Sequence, residues 1–399
     1  MSVVELKNKI YWVGVIDWNI RNFHGHTYKT KRGTTYNAYL ILDEKIALVD
    51  TVYAPFTDEM IEKIRQIIPL EKIDYIIANH VETDHSGALP EILKLCPKAK
   101  VFGTLKCKEG LYKNYYCDMD FQIVKTADKL NLGNKTLTFI EAPMLHWPDS
   151  MFSYLIEDKI LFPNDAFGQH YATSQRFDDE VDYTILMEES AKYYANILWP
   201  FSSLILKKIE EIQKMDIKID MIAPSHGIIW RKDPMKIVQA YMTWAKNETK
   251  PKVVVVYETM WGSTEKIARK IVQGIIDSGI EVKLFDITKS DMTEIVKEML
   301  DAKGYIIGSS THDNNMLPVI AGFLEFLKGL KPKNRIGCVF GSYGWSGGAT
   351  ESIENFFKET NIEVVFPALN IKYTPNEEEL KLCYEYGTNF AKKIISLNT

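Results

Sequence analysis

The stretch Asn79-His80-Val81-Glu82-Thr83-Asp84-His85-Ser86-Gly87 decides how the chain is read, because it places two imidazoles and two carboxylates within six residues. The run before it, residues 73–78, is apolar and β-prone, and residues 88–95 after it are helical in composition. A strand that ends in a cluster of ligands and then turns into a helix is a common way to build a metal site. Donors at i, i+2, i+4 and i+5 of such a loop can point at two neighbouring ions. A solvated polar loop has no use for two histidines flanking two acids.

At 399 residues the chain exceeds what one core usually supports, so two domains are expected. It is 46% hydrophobic and 25% charged, as in an ordinary globular protein. A net charge of −5 argues against a nucleic-acid binder, which would show a basic face. The five cysteines contain no C-x-x-C pair, which speaks against a built-in rubredoxin-type or zinc-ribbon module and against a disulfide framework. The N-terminal residues mix acids and bases without an apolar core, and no apolar run approaches the roughly 20 residues of a membrane span. A reducing cytoplasm is the expected home.

Paired strands are expected at 10–16, 36–42 and 45–50, a helix near 56–68, and the strand 73–78 leading into the cluster. Further strands are read at 137–142 and 151–156, a long helical stretch at 183–214, and a strand near 220–223. Strand pairs with helices outside predict an αββα sandwich. Polar residues with a proline at 246–252 mark a domain boundary, giving domains 1–249 and 250–399. Beyond it, strands at 253–257, 281–285, 304–308, 335–340 and 363–366 alternate with helices at 264–278, 292–300, 318–330, 349–359 and 377–396. That alternation predicts an open, doubly wound parallel sheet, whose ligands bind at the carboxyl ends of the strands.

Three more donors occupy strand-end or loop positions: His146 before Trp147-Pro148-Asp149, Asp165 in Pro163-Asn164-Asp165-Ala166, and His226 between Ser225 and Gly227. A lone histidine is more often structural than a ligand. The order H-x-E-x-D-H, then H, D and H, however, resembles the ligand order of the metallo-β-lactamase fold, with Glu82 where its zinc hydrolases have histidine. Zinc sites lean on imidazole and thiolate, and a harder carboxylate-rich set suits iron. On this resemblance His80, Glu82 and His146 go to one ion, Asp84, His85 and His226 to the other, and Asp165 bridges. Two ions about 3.5–4 Å apart clamp a small ligand.

In the second domain, Thr259-Met260-Trp261-Gly262-Ser263-Thr264 joins the first strand to the first helix. Such a hydroxyl-rich loop can cradle a phosphate with backbone N–H groups and the helix dipole, although Ser263 or Thr264 could equally be a simple N-cap. It lacks both the G-K-[ST] ending and the G-x-G-x-x-G pattern of nucleotide folds. Two further carboxyl-edge loops strengthen the reading: Ser310-Thr311-His312-Asp313-Asn314-Asn315 and Ser342-Tyr343-Gly344-Trp345-Ser346-Gly347. The domain resembles flavodoxin, which implies FMN.

Joined in this order, the domains resemble the flavodiiron proteins (A-type flavoproteins) over essentially the whole chain. The resemblance implies two non-haem irons and FMN, reduction of dioxygen to water or of nitric oxide to nitrous oxide, and a head-to-tail homodimer or dimer of dimers. It implies an external electron donor, either rubredoxin or a reduced deazaflavin coenzyme. It also suggests His24 near the iron site, where it could gate access or donate protons, and a hydroxyl beside it from Tyr193 or Tyr194, with Tyr194 the preferred candidate. The alternatives are a zinc-dependent hydrolase with an appended flavodoxin-like domain, against which Glu82 argues, and a plain electron carrier, against which the full ligand set argues.

Overall fold

The apolar run before the ligand cluster forms the strand Tyr75–Ile77 inside a seven-stranded sheet. Its order is Val4–Lys7, Ile10–Trp12, Tyr39–Ile41, Ala47–Val49, Tyr75–Ile77, Lys100–Gly103 and Phe121–Ile123. The first four strands pair antiparallel and the last three join in parallel. A second, five-stranded sheet follows: Lys129–Asn131, Thr136–Glu141, Met151–Leu155, Ile160–Phe162 and Met221–Ile222. Met151–Leu155 and Ile160–Phe162 are buried at every residue, as strands covered on both faces should be. Tyr39, Ile41 and Ile77 of the first sheet share one core with Phe139, Leu155 and Phe162 of the second. Helix Thr57–Arg65 buries Met60 and Ile64 without entering that core. This is the expected αββα sandwich.

The computed structural model describes residues 3–398. By contacts, the chain up to Tyr194 and Ser203–Met242 form one unit, and Ala195–Ser202 and the chain from Thr243 form the other. The contact division therefore starts the second unit earlier than residue 250 and adds a short segment to it. The second unit is an all-parallel sheet ordered Glu281–Asp286, Lys250–Glu258, Ala302–Ser310, Ile336–Tyr343 and Glu363–Val364. Ala302–Ser310 is buried throughout, as the centre of a doubly wound sheet must be. Parallel strands put the loops after Glu258, Ser310 and Tyr343 on one edge. No described helix is long and apolar enough to cross a membrane.

Three elements differ from expectation, each for a local reason. The strand expected at 10–16 breaks at Gly14, where a Cβ would sit 2.3 Å from the Tyr36 carbonyl oxygen; Val15–Asp17 then pairs with Thr34–Tyr36 instead. The long helix expected at 183–214 is three pieces: Tyr183–Tyr193, a π-helical and 3₁₀ passage through Tyr194–Phe201, and Ser202–Lys214. Pro200 lacks an N–H and would crowd the carbonyl four residues back, so the α-helix cannot continue through it. The last strand is also divided. Glu363–Val364 and Leu369–Lys372 both pair with Ile336–Tyr343, with Pro367 between them.

The second unit contains a half-buried charge cluster with a testable pH dependence. Lys252 donates to Glu298 at 2.7 Å and Asp301 at 2.9 Å. Burial alone would raise both carboxyls, but their lysine partners outweigh it and hold them below the usual range. Carboxylates depressed in the folded state stabilise it above the unfolded pKa of about 4 and lose that contribution as pH falls. Lys252→Met is expected to cost about 1 kcal/mol at pH 7 by chemical denaturation, because Asp301 keeps Lys250 at 2.8 Å and Glu298 keeps Lys297 at 3.4 Å when the shared lysine is removed. The penalty should shrink below about pH 4.

Candidate metal centre and cofactor pocket

The ligand loop leaves strand Tyr75–Ile77 in extended form and closes with the short helix Thr83–Ser86. His80, Asp84 and His85 are buried, and so are His146, Asp165 and His226 from three other loops; Glu82 is partly exposed. The seven residues divide around Asp165. Its Oδ2 faces His146 Nε2 at 3.4 Å and His80 Nε2 at 3.7 Å, and Glu82 Oε2 lies 3.3 Å from His80 Nε2. Its Oδ1 faces His85 Nε2 at 3.1 Å and His226 Nε2 at 3.5 Å, and Asp84 Oδ2 lies 3.1 Å from His226 Nε2. One carboxylate thus shows one oxygen to each group, and donor atoms within each group lie within 4.8 Å of one another, counting Asp165 in the first.

The hydrogen bonding shows that these atoms fit metal ions. Both Asp84 oxygens, both His85 nitrogens and Asp165 Oδ2 are buried without a hydrogen-bond partner. Leaving that many polar atoms bare is costly, and a pair of cations would satisfy those that face the cluster, Asp84 Oδ2, His85 Nε2 and Asp165 Oδ2. Burial would lower the His85 imidazole, yet Asp84 and Asp165 outweigh it and push its pKa up to about 9. The cluster attracts positive charge even without an ion.

Surrounding groups set the donor orientation. Asp149 Oδ2 accepts from His80 Nδ1 at 2.9 Å and from the Val81 N–H at 2.8 Å, leaving His80 Nε2 for a metal. His226 Nδ1 faces the Thr35 carbonyl oxygen at 2.7 Å, and a carbonyl can only accept, so Nε2 is again the free donor. Gly227, at φ +75°, has no room for a Cβ, which would fall 1.5 Å from Gln169 Oε1. Buried Asp50 accepts from the Asn79 N–H at 2.8 Å and from Asn164 Nδ2 at 3.3 Å, tying two ligand loops together.

His24 reaches the rim, with Nε2 3.2 Å from Glu82 Oε1. Two hydroxyls meet the cluster: Tyr193 donates to Asp165 Oδ1 at 3.0 Å and Ser225 donates to the same oxygen at 3.3 Å. Tyr194 is buried and packs its ring edge-on against Tyr241, 5.0 Å between centroids. His170 is a further buried histidine; it faces Thr34 Oγ1 at 2.8 Å and packs 5.1 Å from the His226 ring. Nothing local in the sequence marks it. His26 is exposed.

In the second unit, all three expected loops line one cavity of about 440 Å³, a size suited to a flavin. Met260, Trp261 and Ser263 come from the first loop, Ser310–Asn314 from the second and Ser342–Gly347 from the third. Thr259, Gly262, Thr264 and Asn315 support these loops without lining the wall: Thr259 Oγ1 accepts from the Gly262 N–H at 3.1 Å, and Asn315 pairs its backbone with His312. Thr264 Oγ1 lies 2.8 Å from the hydroxyls of both Ser310 and Ser342. Gly262, at φ +88°, caps helix Ser263–Asp277 without a side-chain hydrogen bond, so the first-turn N–H groups remain for a phosphate. No lysine or arginine lines the cavity.

Asp149→Asn is expected to disturb the group built on His80. Chelator titration with iron analysis should show affinity there reduced 10- to 100-fold.

The family described as "ODP family beta lactamase" matches residues 34–227, and "Flavodoxin" matches residues 255–387. A nitric oxide reductase of Moorella thermoacetica is 53% identical over 393 residues, covering 98% of each chain. Among solved structures, rubredoxin oxygen:oxidoreductase from the anaerobe Desulfovibrio gigas superposes with a TM-score of 0.97 at 37% identity, covering 99% of both chains. The flavodiiron protein of Giardia intestinalis gives 0.95 at 36% identity, covering 99% of this chain and 97% of that one. With a paired metal cluster in one unit and a flavin-sized cavity in the other, the chain belongs to the flavodiiron proteins, whose cofactors are two non-haem irons and FMN.

Proposed function

We propose that the protein reduces dioxygen to water, nitric oxide to nitrous oxide, or both. One iron would be held by His80, Glu82 and His146, the other by Asp84, His85 and His226, with Asp165 available to both. The observation that carries this reading is the division of Asp165, one oxygen toward each group of donors. When bound, the irons supply the redox chemistry that reduces the gas, and FMN supplies the electrons singly.

The chain's own residues hold that site. Glu82, Asp84 and Asp165 are three acids against two divalent ions, so the filled site keeps little net charge and tolerates burial. Asp149 and the Thr35 carbonyl hold two imidazoles with Nε2 inward. Tyr193 steadies the bridging carboxylate through Oδ1. His24 can hold a proton at Nε2: burial would lower its pKa, but the Glu82 contact and nearby acids outweigh this and raise it. Its place at the rim suits gating or proton donation. The loop from Thr259 to Thr264 would bind the FMN phosphate through backbone N–H groups and hydroxyls.

The electron donor in this reading is external, rubredoxin or a reduced deazaflavin coenzyme, and the setting is cytoplasmic. The assembly is a head-to-tail homodimer or dimer of dimers, in which the FMN of one subunit serves the irons of the other. Exposed aromatic rings beside each site, Trp147 next to His146 and Trp345 on the flavin cavity, support a covered surface there.

Removing iron with a chelator from reduced protein should abolish consumption of both gases under anaerobic rapid mixing, while FMN remains bound and reducible. Gas reduction that persists without iron, or two zinc ions with hydrolase activity, would overturn the reading.

A further inference from the structure

We propose that Tyr373 is a flavin-binding residue, whose ring forms one wall of the isoalloxazine site and which, with Thr374, makes a fourth cofactor loop. The proposal rests on the reading of the cavity as an FMN site. None of the three loops found from the sequence includes this segment, because it follows the divided last strand.

The backbone brings it there. Strand Leu369–Lys372 runs parallel to Ile336–Tyr343, with Lys372 beside Tyr343. The Tyr373 N–H donates to the Tyr343 carbonyl oxygen at 2.8 Å, so Tyr373 sits against the start of the third loop. A Cβ on Gly344 would lie 3.3 Å from Tyr373 Cε1, so the ring leans closely on that loop and lines the cavity. Thr374 Oγ1 lies 3.4 Å from Ser263 Oγ, at the first turn of the helix that would face the phosphate. The segment therefore touches the third loop through Tyr373 and the first through Thr374.

The backbone conformation of Tyr373 bears on the same role. Its φ is +60°, a region that side chains with a Cβ adopt at a cost and that glycine or asparagine would fill more easily. Burial does not compensate, since the residue is 63% exposed. Its one ring contact of note is the Lys372 ammonium, 5.8 Å from the ring centroid. A strained, exposed aromatic ring on a cavity wall is accounted for by a planar ligand stacked on it.

The test uses full-length, iron-loaded protein depleted of flavin, titrated with FMN by fluorescence quenching. Tyr373→Phe should bind within twofold of the parent, because the ring is kept. Tyr373→Gly should weaken binding about tenfold and shift the visible band of bound FMN. The same variant relieves the backbone, so the unfolding temperature of the flavin-free protein should stay level or rise. Binding of FMN by Tyr373→Gly within twofold of the parent overturns the proposal and leaves the FMN reading intact. A lowered unfolding temperature without flavin makes Tyr373 structural and also overturns it. Failure of the parent to take up FMN removes both.

Discussion

The metal site depends on one carboxylate shared between two groups of donors. Asp165 has a single pair of oxygens, and its buried position makes each of them face a pair of imidazoles. In a low-dielectric interior such an arrangement of acids and neutral nitrogens is stable only when positive charge fills it. Donors from four separate loops meet there, and a pair of bound ions would tie those loops together. Hydrogen bonds outside the cluster hold the donors ready: His80 donates to Asp149, His226 to the Thr35 carbonyl oxygen and Tyr193 to Asp165 itself.

Glu82 gives the site its chemical character. An imidazole at that position would leave a donor set suited to zinc and hydrolysis; a carboxylate makes it harder, more anionic and better matched to iron. The second unit explains why iron is useful. Its parallel sheet gathers three hydroxyl- and aromatic-rich loops at one edge, around a cavity without fixed positive charge. A phosphate there would be held by amides at a helix start, which would leave the ring system to the flat side chains on the wall.

Much of this was legible in the sequence where the information was local. Four donors in one short loop announce a metal site unaided, and regular alternation of strand and helix announces a parallel sheet with its ligand edge. His146, Asp165 and His226 were readable only through their order, since each alone resembles a structural residue. Asp149 carried no signal, because its role depends on the loop after Glu141 folding onto His80. Tyr193 and Tyr194 are adjacent on a helix, where about 100° of rotation separates them. Periodicity could not say which hydroxyl points inward, and the structure turns Tyr193 toward Asp165. Tyr373 was hidden for a different reason: Leu369–Lys372 is short, follows a proline and has only one buried residue, so no apolar run marks it.

The central claim is that Asp165 joins two irons. Mössbauer spectroscopy on ⁵⁷Fe-loaded protein tests it most directly. The account predicts two iron sites of equal population per chain, magnetically coupled through their shared bridge. A single uncoupled iron site per chain, or quantitative zinc with no stable iron loading, would contradict it.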